Sequence, residues 1–121
     1  LLALFRLIYA LYFDLDKSNI RPDAAVELAK ILEVMKEYPT LEIDVRSHTD
    51  SRQTSKYNIN LSERRAKSTI EWLIQNGVAP NRLTGKGYGE TQLLNSCADD
   101  VPCSEEEHQA NRRSEFIITK L

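Results

Sequence analysis

The segment from Ser47 to Ala66, SHTDSRQTSKYNINLSERRA, holds the residues whose types and spacing suit chemistry. Asp50 stands at the end of a predicted strand, and Arg65 follows fifteen positions later in the first turn of a predicted helix. One fixed carboxylate and one fixed guanidinium form a receptor for a zwitterion, such as the free end of an amino acid. The plainer alternative is that the two residues simply pair with each other. Ala66 opens the buried stripe of that helix, so Arg65 is expected at the edge of the core, opposed to the helix dipole and in need of an anion.

Other chemistries find less support. Arg64 and Lys67 read as a solvated charged face. Arg112 and Arg113, adjacent before the last strand, point to opposite sides, so one of them at most reaches a site. His48 and Asp50, two apart on an extended stretch, mimic a metal or acid–base pair, but no third ligand stands nearby. No Gly-rich phosphate loop, nucleophile elbow or Cys/His nucleophile arrangement occurs. A binding module without cofactor, not an enzyme, is the expectation. Cys97 and Cys103 flank a polar loop containing Pro102 and can close as a small disulfide ring, which would imply an oxidising compartment. Free thiols, or a metal site that adds His108, stay open on spacing alone.

These residues need elements to hold them. A strand is expected over about Leu7 to Phe13, then a polar turn from Asp14 to Asn19. Pro22 suits the first position of a helix, with Asp23 favourable to its dipole. Ala25, Leu28, Ala29, Leu32 and Met35 recur at helical spacing, and Tyr38-Pro39 ends the run. Leu41, Ile43 and Val45 alternate with Glu42, Asp44 and Arg46 as in a half-buried strand. A loop is expected over 48–60, then a helix burying Ala66, Thr69, Ile70, Leu73 and Ile74 and stopped at Asn76-Gly77. A strand near Arg82 to Tyr88, the cysteine loop, a short turn from Ser104 and a last strand from Ser114 to Leu121 complete the chain. The fold class is α/β, an α+β sandwich in which two main helices pack on a mixed four-stranded sheet in the order β-α-β-α-β-β.

Composition narrows the class further. The 121 residues are 41% apolar and 28% charged, as in one ordinary globular domain. Sixteen basic against eighteen acidic residues give a net charge of −2, so nothing favours nucleic acid. The first thirteen residues are apolar except Arg6, too few and too interrupted to span a bilayer, and they lack the marks of a signal peptide. The chain begins at Leu1 rather than Met, as a piece of something longer would.

The runs YFDLDKSNI (12–20), the segment above (47–66), GYGE (87–90) and NRRSEF (111–116) resemble the OmpA-like C-terminal domain, in order, over about residues 8–121. The insert CADDVPCSEEEH is similar to Bacteroidetes versions of this domain, and that resemblance implies a Cys97–Cys103 disulfide. It also implies non-covalent binding of peptidoglycan in the Gram-negative periplasm, through the diaminopimelate of the stem peptide. Asp50 would hold the ammonium of that residue and Arg65 its carboxylate. Asp16, Thr49, Asn58, Leu61 and Arg112 match positions lining the same pocket. The implied parent is attached to the outer membrane, or belongs to a motor stator or secretion machine, and weak homodimers are a further expectation. Ser47 and Gln53 depart from the family, standing where Gly or a small residue is frequent. A degenerate domain serving as a protein scaffold is the alternative, and a metal-dependent hydrolase built on His48, Asp50 and the cysteines is a third class.

Overall fold

The computed structural model describes residues 6–121, with side chains from Leu11 onward. The expected first strand is β1 (Arg6–Tyr12), and the lead-in at residues 1–5 lies outside the described residues. Helix α1 (Pro22–Glu37) starts on Pro22, with the Asp23 carboxylate accepting the Ala24 amide. Its buried stripe is Ala24, Leu28, Ile31, Leu32 and Met35. That corrects the expected face at two positions: Ala25 is half-buried and Ala29 exposed. The larger Ile31 takes an inward position, which turns the stripe by a fraction of a turn. Strand β2 (Glu42–Ser47) alternates as expected, with Ile43, Val45 and Ser47 buried.

Helix α2 (Ser55–Gln75) begins inside the stretch read as loop. Thr54 is its N-cap, and the Thr54 hydroxyl accepts the Tyr57 amide at 3.1 Å, satisfying a donor the helix cannot. Ser, Thr, Asn and Asp serve caps and loops alike, so composition alone did not separate the two. Gly77 ends the helix at φ 109°, a conformation that favours glycine. A 3-10 turn at Pro80–Arg82 leads into β3 (Leu83–Gly87). Helix α3 (Glu105–Gln109) carries a capping box between Ser104 and Glu107, and β4 (Arg113–Lys120) follows it.

The sheet runs β1-β4-β2-β3, with β4 antiparallel to both β1 and β2, and β2 parallel to β3. This is the mixed four-stranded sheet expected. The core lies between it and the long helices: Leu28, Ile31 and Met35 of α1 and Leu73 of α2 join Ile43, Val45 and Phe116 of the strands. Removing one such side chain to Ala costs about 2–5 kcal/mol. Gly87 lets β3 approach α2: a Cβ there would collide with Ser62 and the Glu63 backbone, and its amide instead donates to the Glu63 carboxylate at 3.0 Å. That contact fixes where α2 lies relative to the ends of β2 and β4. No helix among the described residues is long and apolar enough to cross a membrane.

Candidate functional site

The chain leaving β2 is held on both sides. The His48 amide donates to Arg113 and the Thr49 amide to Gly89, so the next residue, Asp50, emerges between the start of β4 and the 87–90 turn. Thr49 locks the backbone with a hydroxyl bond to the Asp50 carbonyl. Asp50 is 3% exposed. Its Oδ1 accepts the Arg52 amide at 3.0 Å; its Oδ2 accepts Arg52 Nη2 at 2.9 Å and Arg112 Nη1 at 3.1 Å. Burial alone would raise the Asp50 pKa. The bonds from Arg52 and Arg112 outweigh that and hold it below the usual carboxylate value. Glu105 closes the network, with one oxygen 2.9 Å from Arg52 and the other 2.9 Å from Arg112. Two carboxylates and two guanidiniums thus balance among themselves.

Arg65 stands outside that balance. It lies in the third turn of α2, not the first, so the helix dipole does not act on it as the sequence reading supposed. It is also fully buried rather than at the edge of the core. Its Nε donates to Lys17, Nη1 to His48 and Nη2 to Asp14, all main-chain carbonyls, at 2.8–3.0 Å. Its guanidinium carbon sits 5.0 Å from the centroid of the Phe13 ring. The plain Asp50–Arg65 salt bridge does not form. Burial, and then the charge of Arg112, push the Arg65 pKa down to about 10, against the pull of Asp50 and Asp16. Of the five guanidinium donors, three are used, which leaves one N–H on each terminal nitrogen.

All seven expected residues line one pocket: Asp16, Thr49, Asp50, Asn58, Leu61, Arg65 and Arg112. Leu15 and Arg52, which sequence reasoning missed, line it too. Arg52 carried a signal, since a backbone amide two residues after an Asp commonly bonds its carboxylate. Asp16 holds φ 57° in the turn that Arg65 ties down. Asn58 Nδ2 donates to Glu90 at 3.1 Å, which gives the GYGE run a place beside the pocket. Burial, then a hydrogen bond with Asp99, raises the Glu90 pKa.

The other expectations fall elsewhere. His48 does not face the Asp50 pocket: it stacks on Tyr88, ring centroids 5.4 Å apart, and its Nε2 lies 3.4 Å from Glu115. Arg113 turns away from the pocket to Glu115 and the Gln92 carbonyl, leaving Arg112 as the one of the pair that reaches it. Cys97 and Cys103 form a disulfide with Cα atoms 6.0 Å apart, so neither sulfur is a thiolate ligand. Ser51 donates its hydroxyl to the Cys97 carbonyl, joining the ring to the Asp50 loop. Gln53, which stands where a small residue is frequent in the family, has φ 134°, a strained conformation for a residue with a side chain.

Outer membrane porin F of Pseudomonas fluorescens is 38% identical over 106 residues, which are 88% of this chain and 31% of the porin. The peptidoglycan-associated lipoprotein of Brucella melitensis is 35% identical over 108 residues, 89% of this chain and 61% of that protein. The chain therefore spans less than two thirds of the length of these relatives. Among solved structures, the C-terminal domain of Helicobacter pylori MotB matches at 28% identity with a TM-score of 0.80, over 94% of this chain and 86% of that one. A model described as the OmpA family matches residues 12–108, from the end of β1 into α3, and the chain belongs to that family.

Proposed function

We propose that this chain is a single wall-binding domain, which holds peptidoglycan non-covalently through the diaminopimelate of the stem peptide. In the periplasm it anchors an outer-membrane parent, or an envelope machine, to the cell wall. The observation that carries this reading is the state of Arg65: a fully buried cation bonded only to neutral carbonyls, beside a network already balanced without it. A carboxylate on its two remaining N–H groups would supply the missing counter-charge in a low-dielectric site. The ligand ammonium has its own partners. A carboxylate offers about four lone-pair positions; three on Asp50 are filled, and the vacancy is on Oδ1. Asp16 adds a second negative group to the pocket wall.

A pocket holding one zwitterion gives modest affinity, and many copies on a polymeric wall, or weak pairing of two domains, raise it through avidity. The proposal is tested by titrating the domain with free meso-diaminopimelate, followed by NMR. Amide shifts clustered on Asp50, Asn58 and Arg65, and lost in Asp50→Ala, support it. Silence toward both diaminopimelate and a muropeptide sinks it and leaves the scaffold reading.

A further inference from the structure

We infer that a second ligand site, for a sugar unit of the wall polymer, lies beside the Asp50 pocket in the cleft between the 51–53 loop and the disulfide ring. The inference rests on the peptidoglycan reading above. The cleft has a volume of 410 Å³, within the range of small-molecule sites, and Arg52 lines both it and the pocket. One strand can therefore touch both.

The lining identifies the ligand class. Arg52, its charge already met by Asp50 and Glu105, presents N–H donors; Asp99 and Asp100 present acceptors, and Gln53 an amide that does both. A free anion would meet the two aspartates. A hydroxyl-rich ring suits a lining of mixed donors and acceptors, because each hydroxyl both donates and accepts. Val101 and Ala98 supply apolar surface for a ring face. The second observation concerns His108, which lines the cleft and is only 6% exposed, yet its Nδ1 is buried with no hydrogen-bond partner. The Nε of Arg52 is buried without a partner as well. Buried polar atoms left without partners are rare in folded proteins and call for a ligand or water. The ring that shapes the cleft is set by the Cys97–Cys103 bond and by the Ser51–Cys97 contact.

The test uses a GlcNAc–MurNAc disaccharide whose lactyl carboxyl is capped as a methylamide, neutral as it is in the wall polymer, and, separately, free meso-diaminopimelate, each followed by amide shifts. Asp100 has φ 65° and Gln53 φ 134°, so Asp100→Gly and Gln53→Gly remove side chains without straining the backbone. The disaccharide is expected to shift Asp99, Asp100 and His108, and each variant to weaken it about fivefold, the loss of one hydrogen bond. The diaminopimelate shifts at Asp50 and Arg65 stay unchanged in both variants. No disaccharide shift at large molar excess overturns the cleft site, as do shifts that neither variant weakens. If the disaccharide binds and diaminopimelate does not, the pocket reading fails while the cleft stands.

Discussion

Arg112 donates from Nη1 to Asp50 Oδ2 across 3.1 Å, with 3% and 4% of the two side chains exposed. The domain thus supplies Asp50 with its own cation and leaves Arg65 unclaimed. Arg112 also donates from Nε to the Phe13 carbonyl at 2.7 Å, so it ties the first strand to the site. Arg112→Ala is expected to lower stability by about 3 kcal/mol, because it breaks a buried pair and strands a carbonyl. The check is the urea midpoint at unchanged m. A loss well below 1 kcal/mol contradicts the account.

Arg65 separates binding from folding less cleanly than an edge residue would. Arg65→Ala removes three bonds to main-chain carbonyls, among them the buried one at His48, where a lost bond costs about 1–3 kcal/mol, so unfolding can mask any binding defect. Arg65→Lys keeps the charge and loses the planar fork. It is expected to stay folded by circular dichroism yet bind sacculi about tenfold more weakly, roughly 1.4 kcal/mol. Wild-type retention on sacculi by the Lys variant counts against the fork.

Acid acts through Asp50. Its folded pKa lies below the ordinary 3.8, so in that window the unfolded chain binds a proton the folded chain does not. Stability there rises with pH. The contribution is fully present above about pH 4 and is lost as pH falls through the folded value. Glu90, raised instead, has the opposite sign: its contribution falls as pH climbs through its folded value. Urea midpoints measured downward from about pH 5 should fall less steeply in Asp50→Asn than in wild type.

The disulfide closes a short ring, with a sequence separation of 6. Opening it is expected to lower stability by about 2 kcal/mol. Cys97→Ser with Cys103→Ser should show that drop in thermal unfolding, and the amide shifts of Ser51 should move with it, since Ser51 is bonded to Cys97.

Gln53 is a stabilisation waiting at φ 134°. Strain at such a position is about 1–3 kcal/mol, and Gly removes it while gaining unfolded-state entropy. Gln53→Gly is expected to raise stability by about 1 kcal/mol net, read from the urea midpoint. A decrease shows that the Gln53 side chain contributes more than its backbone loses.

Local pattern made parts of this protein legible before its structure. Leu41, Ile43 and Val45 announce β2 because side chains alternate every second residue, and Gly77 announces a helix end because only glycine adopts its φ without strain. The start of α2 was hidden because Thr54 caps a helix within a run that also suits a loop. Asp50 and Arg65 came from residue type and spacing, the other five pocket residues from resemblance, and all seven converge on one wall. The partners of Arg65 had no signal at all: main-chain carbonyls at 14, 17 and 48 are present whatever the residue type. The alternative of a plain Asp50–Arg65 pair failed for the same reason, since charge in a sequence does not reveal which neutral groups will claim it.

The central place of β4 in the sheet has a consequence for timing. Arg112 reaches back 99 positions to Phe13 and 62 to Asp50. Contacts this distant along the chain demand loop closure before any reward, so they form late. A chain that has made both long helices has Arg52 on Asp50 but still lacks Arg112, the second guanidinium of the pair. The docking of β4 between β1 and β2 therefore completes the receptor wall, and a ligand that needs that wall senses whether the strand is in place.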